Sequence, residues 1–213
     1  VSLPKNLKEK ISYFEKHLIL YQGQSLARKF RRLIDPISDD RVKEAVAKGY
    51  HKLLAYKDEY EVARLHRETR KRAEDNFDGV KLITYHLAPP LFSKMGPDRR
   101  PIKRKFGPFI ESIFPILASL KILRGTPLDV FGYTAERKME KALIKQYESD
   151  IAYVLPKLNN ETIDYIVALA ELPTTIRGFG PVKRSNEKKA ADKRKELLNA
   201  LDVAGNGLRR AAE

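Results

Sequence analysis

A mainly α-helical chain carrying one small β-ribbon is the fold class that this sequence predicts, on three observations. Apolar residues recur every third or fourth position through most of the 213 residues, the period of a helix with one buried face. One stretch, 80–87, alternates instead and is largely β-branched or aromatic, the signature of a strand. Proline, glycine and aspartate at 35–36, 78–79, 107–108, 124–127 and 173 punctuate the pattern.

The elements follow in order. Leu7, Ile11, Phe14, Leu18 and Tyr21 share one helical face, and Leu26, Phe30 and Leu33 continue it past Gly23, read as a bend or a close helix contact. Asp35-Pro36 ends this helix, because the residue before a proline is pushed away from helical geometry. Ser38 or Asp39 caps a second helix, in which Val42, Val46, Gly49, Leu53, Tyr56, Tyr60 and Ala63 keep one face. From Arg67 to Asp75 that helix turns polar and runs into solvent. The short connection predicts an antiparallel hairpin.

The strand at 80–87 needs a partner for its backbone groups, and 101–106 is the best candidate, with 88–100 as the loop at the ribbon tip. Pro108 opens a helix that Pro115 should kink, with Ile110, Ile113, Phe114, Leu117 and Leu120 on one side. Met139, Leu143, Tyr147, Ile151 and Val154 or Leu155 form the stripe of the clearest helix in the second half. Asn159 or Asn160 caps a short helix through Ile163, Val167 and Ala170, and a charged helix spans 182–201. The organisation expected is a helical hairpin over 1–75, a β-ribbon with a basic loop over 76–107, a helical bundle over 108–204 and a frayed tail over 205–213, together one compact domain.

Composition bounds the function. Apolar residues make up 42% of the chain, enough for a real core, which excludes intrinsic disorder. The absence of cysteine excludes disulfide scaffolds, thiolate nucleophiles and thiolate-held zinc or iron–sulfur sites. The longest apolar run, around 109–123, is broken by Glu111, Pro115 and Lys121, so no membrane span is expected. With no secretory leader the expected location is cytoplasmic, and the start at Val1 rather than Met leads to the expectation of either an excised piece of a longer chain or a separate subunit.

The chemistry-bearing residues give no self-contained active site. His17, His51, His66 and His86 form no H-E-x-x-H or i,i+4 pair, so no metal is assigned. His86, in the strand, is the one to watch, with a hydrogen bond to a backbone carbonyl favoured over catalysis. Nucleophile elbow, Walker loop and dinucleotide fingerprint are missing, and Gly178-Phe179-Gly180 is as well explained by a tight turn as by an anion cradle. Asp58, Glu59 and Glu61 are dense in carboxylates, yet with Lys57 and Arg64 beside them an ion-pair network is favoured over acid–base catalysis.

Lysine and arginine exceed aspartate and glutamate by 42 to 28, a net charge of +14. The excess concentrates in two places. One is the ribbon loop, with Lys94, Arg99, Arg100, Lys103, Arg104 and Lys105; the other begins at Arg177 and Lys183 and runs along the last helix. These are the candidate binding residues, as a docking surface. A stand-alone nucleic-acid-binding module is the competing class, but aromatics are few in the loop and no recognition motif is present, so specific nucleic-acid binding is not expected.

Several strings carry a resemblance: KLLAYKDEYEVARL at 52–65, HLAPPL at 86–91, KRKFGPF at 103–109, LRGTPLDVFGYTAERKME at 123–140, and the segments from Leu172-Pro173 through IRGFGPVK at 176–183. In this order and spacing the chain resembles the C-terminal domain of the fused indolepyruvate ferredoxin oxidoreductases, over nearly its whole length. The resemblance implies a parent enzyme that decarboxylates 2-oxoacids with thiamine diphosphate and Mg, forms an acyl-CoA, and passes electrons through iron–sulfur clusters to ferredoxin. Those cofactors would sit in other domains of the parent, and none in this chain. The implied partners are those domains and an acidic ferredoxin, with 57–64, 87–90 and 124–137 as core and inter-domain contacts. No catalytic residue is implied here. The chain departs from the family at Pro181, where a histidine stands in relatives, which weakens any catalytic imidazole in that turn. It departs again at Phe109, where a tryptophan stands, read as tolerated packing.

Overall fold

A computed structural model describes residues 4–67, 69–80, 82–88, 96, 102–178 and 180–211, with side chains described to 204. The order is α1 (Leu7–Tyr21), α2 (Gln24–Ile34), α3 (Asp40–Leu54), α4 (Glu59–His66), α5 (Thr69–Asn76), β1 (Tyr85–Leu87), β2 (Arg104–Phe106), α6 (Ile110–Ser119), α7 (Ala135–Val154), α8 (Ile163–Glu171) and α9 (Gly180–Ala211). Turns of 3-10 helix occupy Leu120–Leu123, Leu155–Lys157 and Leu172–Thr175. The fold is mainly helical, with a single two-stranded antiparallel sheet among the described residues. No described helix is long and apolar enough to cross a membrane.

The chain forms two compact units, one of residues 1–56 and 139–213, the other of 57–138. These borders differ from the 75, 107 and 204 of the sequence reading.

The first unit is an apolar helical core. Leu18, Phe30, Ile34, Val42, Val46, Ile151, Val154 and Ile166 are fully buried, and the Tyr50 ring lies between Phe30 and Tyr147, with centroids 6.1 and 5.9 Å away. Asn6 caps α1 through Glu9 N, and Asp39 caps α3 through Val42 N, each at 2.9 Å, supplying acceptors for otherwise orphaned amides. Gly23 has φ +116° and open space around its α-carbon, so it is a break between α1 and α2 rather than a close contact. Gly49 is the close contact: a β-carbon there would lie 2.1 Å from the Ala170 carbonyl oxygen in α8.

The second unit has a much smaller apolar cluster of Ala63, Tyr85, Phe114 and Ala118. Here the ribbon pairs as expected, in the register Tyr85 with Phe106, His86 with Lys105 and Leu87 with Arg104, although each strand is only three residues long. Tyr85 meets Phe114 edge-on at 5.1 Å.

Three expectations need correction. The second helix is broken at 55–58 and again near Arg67, because Asp58 starts a new helix by capping Glu61 N at 2.9 Å. On α6 the buried residues are Phe114 and Ala118, while Ile113, Ile116 and Leu120 are exposed: the helix is apolar nearly all round and only one side is covered. Phe109, which follows the ribbon, is 62% exposed and packs on Phe106 with ring centroids 6.3 Å apart. The last helix spans Gly180–Ala211, longer than the expected 182–201.

Candidate functional site

The densest buried chemistry in the second unit is a polar lock built from two of the strings quoted above. Asp58 and Arg124 are almost wholly buried and face each other bidentately, Nε to Oδ2 at 2.6 Å and NH2 to Oδ1 at 2.9 Å. The Arg124 guanidinium also lies over the Tyr60 ring at 5.6 Å. Tyr60 donates to Asp129 Oδ1 at 3.3 Å, and Asp129 accepts from Gly125 N and Gly132 N at 2.9 and 3.1 Å, which closes the 125–132 turn on itself. Glu61 takes Arg64 bidentately, and Arg137 donates to the Lys57 carbonyl.

Asp58, Glu61 and Asp129 thus have their oxygens engaged by guanidinium, hydroxyl and backbone donors. The exception is Glu59, whose Oε2 is buried without a hydrogen bond; burial holds this carboxyl above its ordinary range. The ion-pair reading of the acidic cluster fits this geometry. An Asp58-x-x-Glu61 spacing is the sequence signal that announces the cap and hence the helix break.

The expected basic residues fall in different places. Lys94, Arg99 and Arg100 lie outside the described residues. Lys103, Arg104 and Lys105 are consecutive and exposed on or beside β2. His86 is exposed too, and among the described residues its ring makes no hydrogen bond, so the expected carbonyl contact is not found. Arg177 and Lys183 belong to the first unit, where Lys183 pairs with the buried carboxylate of Glu140.

Two groupings there were not legible from spacing. His51 Nε2 lies 3.0 Å from His17 Nδ1, and Phe14 stacks on the His51 ring at 4.4 Å. Burial, with His17 and Lys52 adding to it, lowers His51 to about 4. The second is electrostatic: Lys52, in the last turn of α3, feels the charges of Lys183 and Arg177. The small cleft of about 40 Å³ nearby is lined by Leu53 and Ile176 together with Asp150, Glu187 and Arg194, not by these three cations. Arg177 is held by its own Nε on the Thr174 carbonyl at 2.8 Å and by Asn186 Nδ2 on its carbonyl at 3.0 Å. The Lys52 ammonium is less basic than usual, through partial burial and then the charges of Lys183 and Arg177, with Glu140 opposing.

No group of three or more histidine, aspartate or glutamate side chains among the described residues converges to hold a metal ion. Neither the curated proteins nor the solved structures contain a match to this sequence. Residues 7–196 match one family, and the chain therefore belongs to DUF6537, a family of unknown function.

Proposed function

We propose that this chain is a non-catalytic domain of a thiamine-diphosphate-dependent 2-oxoacid:ferredoxin oxidoreductase, packing on the catalytic body of the parent enzyme. The observation that carries the reading is where the family-like strings fall. Asp58, Tyr60, Glu61, Arg124, Asp129 and Arg137 come from 52–65 and 123–140, and all are buried in a lock that holds the fold. Strings that build architecture rather than chemistry are what an attached domain needs.

A second feature supports attachment. Phe109, Ile113, Ile116 and Leu120 leave an apolar stripe exposed along α6, of the kind that marks a contact surface. The exposed Lys103, Arg104 and Lys105 supply a basic surface that would aid docking of acidic ferredoxin or coenzyme A, chiefly by raising the association rate.

The test is parentage and turnover together. The reading frame upstream of Val1 is sequenced, and the purified chain and the whole product of that frame are each assayed for 2-oxoacid-dependent ferredoxin reduction with CoA. The expected result is an open frame encoding thiamine-diphosphate and cluster-binding segments, with turnover in the whole product alone. A start codon immediately upstream, or oxoacid decarboxylation by the 213-residue chain, overturns the reading.

A further inference from the structure

We infer that the exposed side of α6 is a docking seam for a single acidic amphipathic helix, an inference that rests on the attachment role proposed above and names what covers the stripe.

Phe109, Ile113, Ile116 and Leu120 follow one another at steps of four, three and four. That is the spacing of a seam along which a second helix can lie, and it runs roughly 16 Å at the helical rise per residue. Exposure alternates along it: Phe109 and Ile116 stand out at 62% and 63%, while Ile113 and Leu120 are recessed at 43% and 38%. Projecting and recessed side chains in alternation suit the interdigitation of two helices, whereas a bilayer offers no fixed side chains to interlock with them. Phe114 and Ala118, on the other side of α6, pack into the apolar cluster of the second unit, so the helix is anchored from behind and the seam faces outward.

Charge selects the partner. The only ionisable side chain of α6 is Glu111, and its oxygens accept from Arg70 Nε at 2.8 Å, Arg70 NH2 at 3.1 Å and the Tyr85 hydroxyl at 3.3 Å. The seam itself is therefore uncharged. Cations stand at its start: the Phe106 ring packs on Phe109 with centroids 6.3 Å apart, and the exposed Lys103, Arg104 and Lys105 lead directly to Phe106. No acidic residue occurs between Asp98 and Glu111 to offset them. A helix with apolar residues at matching steps and carboxylates toward that end meets opposite charge, and a basic helix meets repulsion.

Fluorescence anisotropy on the full chain, near physiological salt, tests the seam with two designed peptides of about three heptads. Both carry leucine at the matching steps; one has glutamate at the flanking positions and the other lysine. One-to-one binding of the glutamate peptide is expected, with the lysine peptide weaker by about tenfold or more. Ile116→Asp should weaken the glutamate peptide by about tenfold or more, because it sets a charge in the middle of the apolar contact. Lys103→Gln/Lys105→Gln should slow association and flatten its salt dependence. These variants change exposed side chains, and circular dichroism confirms that they remain folded. Val203→Ser, at an exposed position of α9, should leave affinity unchanged.

The inference is overturned by no binding of the glutamate peptide at about 100 μM, by equal binding of both peptides, or by equal weakening in Val203→Ser. Binding to phosphatidylserine vesicles that Ile116→Asp abolishes, with no peptide binding, overturns it too and assigns the face to a membrane. Amide exchange over α6 in the whole product of the upstream frame separates this inference from the parentage. Protection of α6 there without peptide binding removes the helix as occupant and keeps the attachment; peptide binding without an oxidoreductase frame upstream keeps the seam and removes the parent.

Discussion

The two compact units of this chain differ in the balance of apolar and ionic burial that stabilises them. The first buries Leu18, Phe30, Ile34, Val42, Val46, Ile151, Val154 and Ile166 in one continuous apolar core. The second has an apolar cluster of four buried residues and beside it buries Tyr60, two arginines, two aspartates and a glutamate. Apolar burial is non-directional and tolerates a partner of similar size. A buried ion pair is stabilising only while both partners and their geometry are intact, because a stranded charge has no water. The first unit should therefore degrade gradually under substitution and the second abruptly.

Substitutions break the comparison most directly. Phe30→Ala should cost the first unit about 3–5 kcal/mol through lost transfer energy and the cavity left behind. Asp58→Ala should cost the second about 3–5 kcal/mol, since it strands Arg124. The informative measurement is amide hydrogen exchange read separately over α3 and over α4. Replacing Asp58 and Arg124 together by apolar residues should recover much of the loss, and no recovery would show that the pair is not the source. A smaller effect, about 1–3 kcal/mol by denaturant midpoint, is expected for Gly49→Ala, whose new methyl meets the Ala170 carbonyl and the Tyr147 hydroxyl.

Acid sharpens the contrast with the mildest effect. Above pH 6.5 His51 is neutral folded and unfolded; between 6.5 and about 4 the unfolded chain takes up a proton that the folded one refuses. Stability of the first unit is thus lost as pH falls through that window. Glu59 works the other way: with its folded carboxyl raised above 4.5, protonation favours the folded form, and this contribution is lost as pH rises through the folded value. Histidine and carboxyl titrations by NMR, beside exchange rates in each unit, check both signs. His51→Phe should remove the first dependence.

What could be read from the sequence was local. The Asp39 cap, the helix faces around Val42, Val46 and Ile151, and the antiparallel partner of the strand all follow from patterns within a few residues. What escaped reading was set by contacts between distant positions. His17 and His51 are 34 residues apart and meet only because α1 lies on α3. Arg124 reaches Asp58 across 66 residues, so the ion-pair reading found the acidic cluster but not its principal partner. On α6, periodicity marked an apolar helix correctly but could not say which side the small second core would cover.

Position 58 answers two demands at once, and they call for different side chains. The amide of the same length, asparagine, would still cap α4 but bring no charge to the guanidinium; glutamate would bring the charge but overreach the cap. Any natural drift here must pass through a form that fails one of the demands, unless residue 124 changes in the same step. Aspartate 58 and arginine 124 should consequently be inherited or abandoned as a couple.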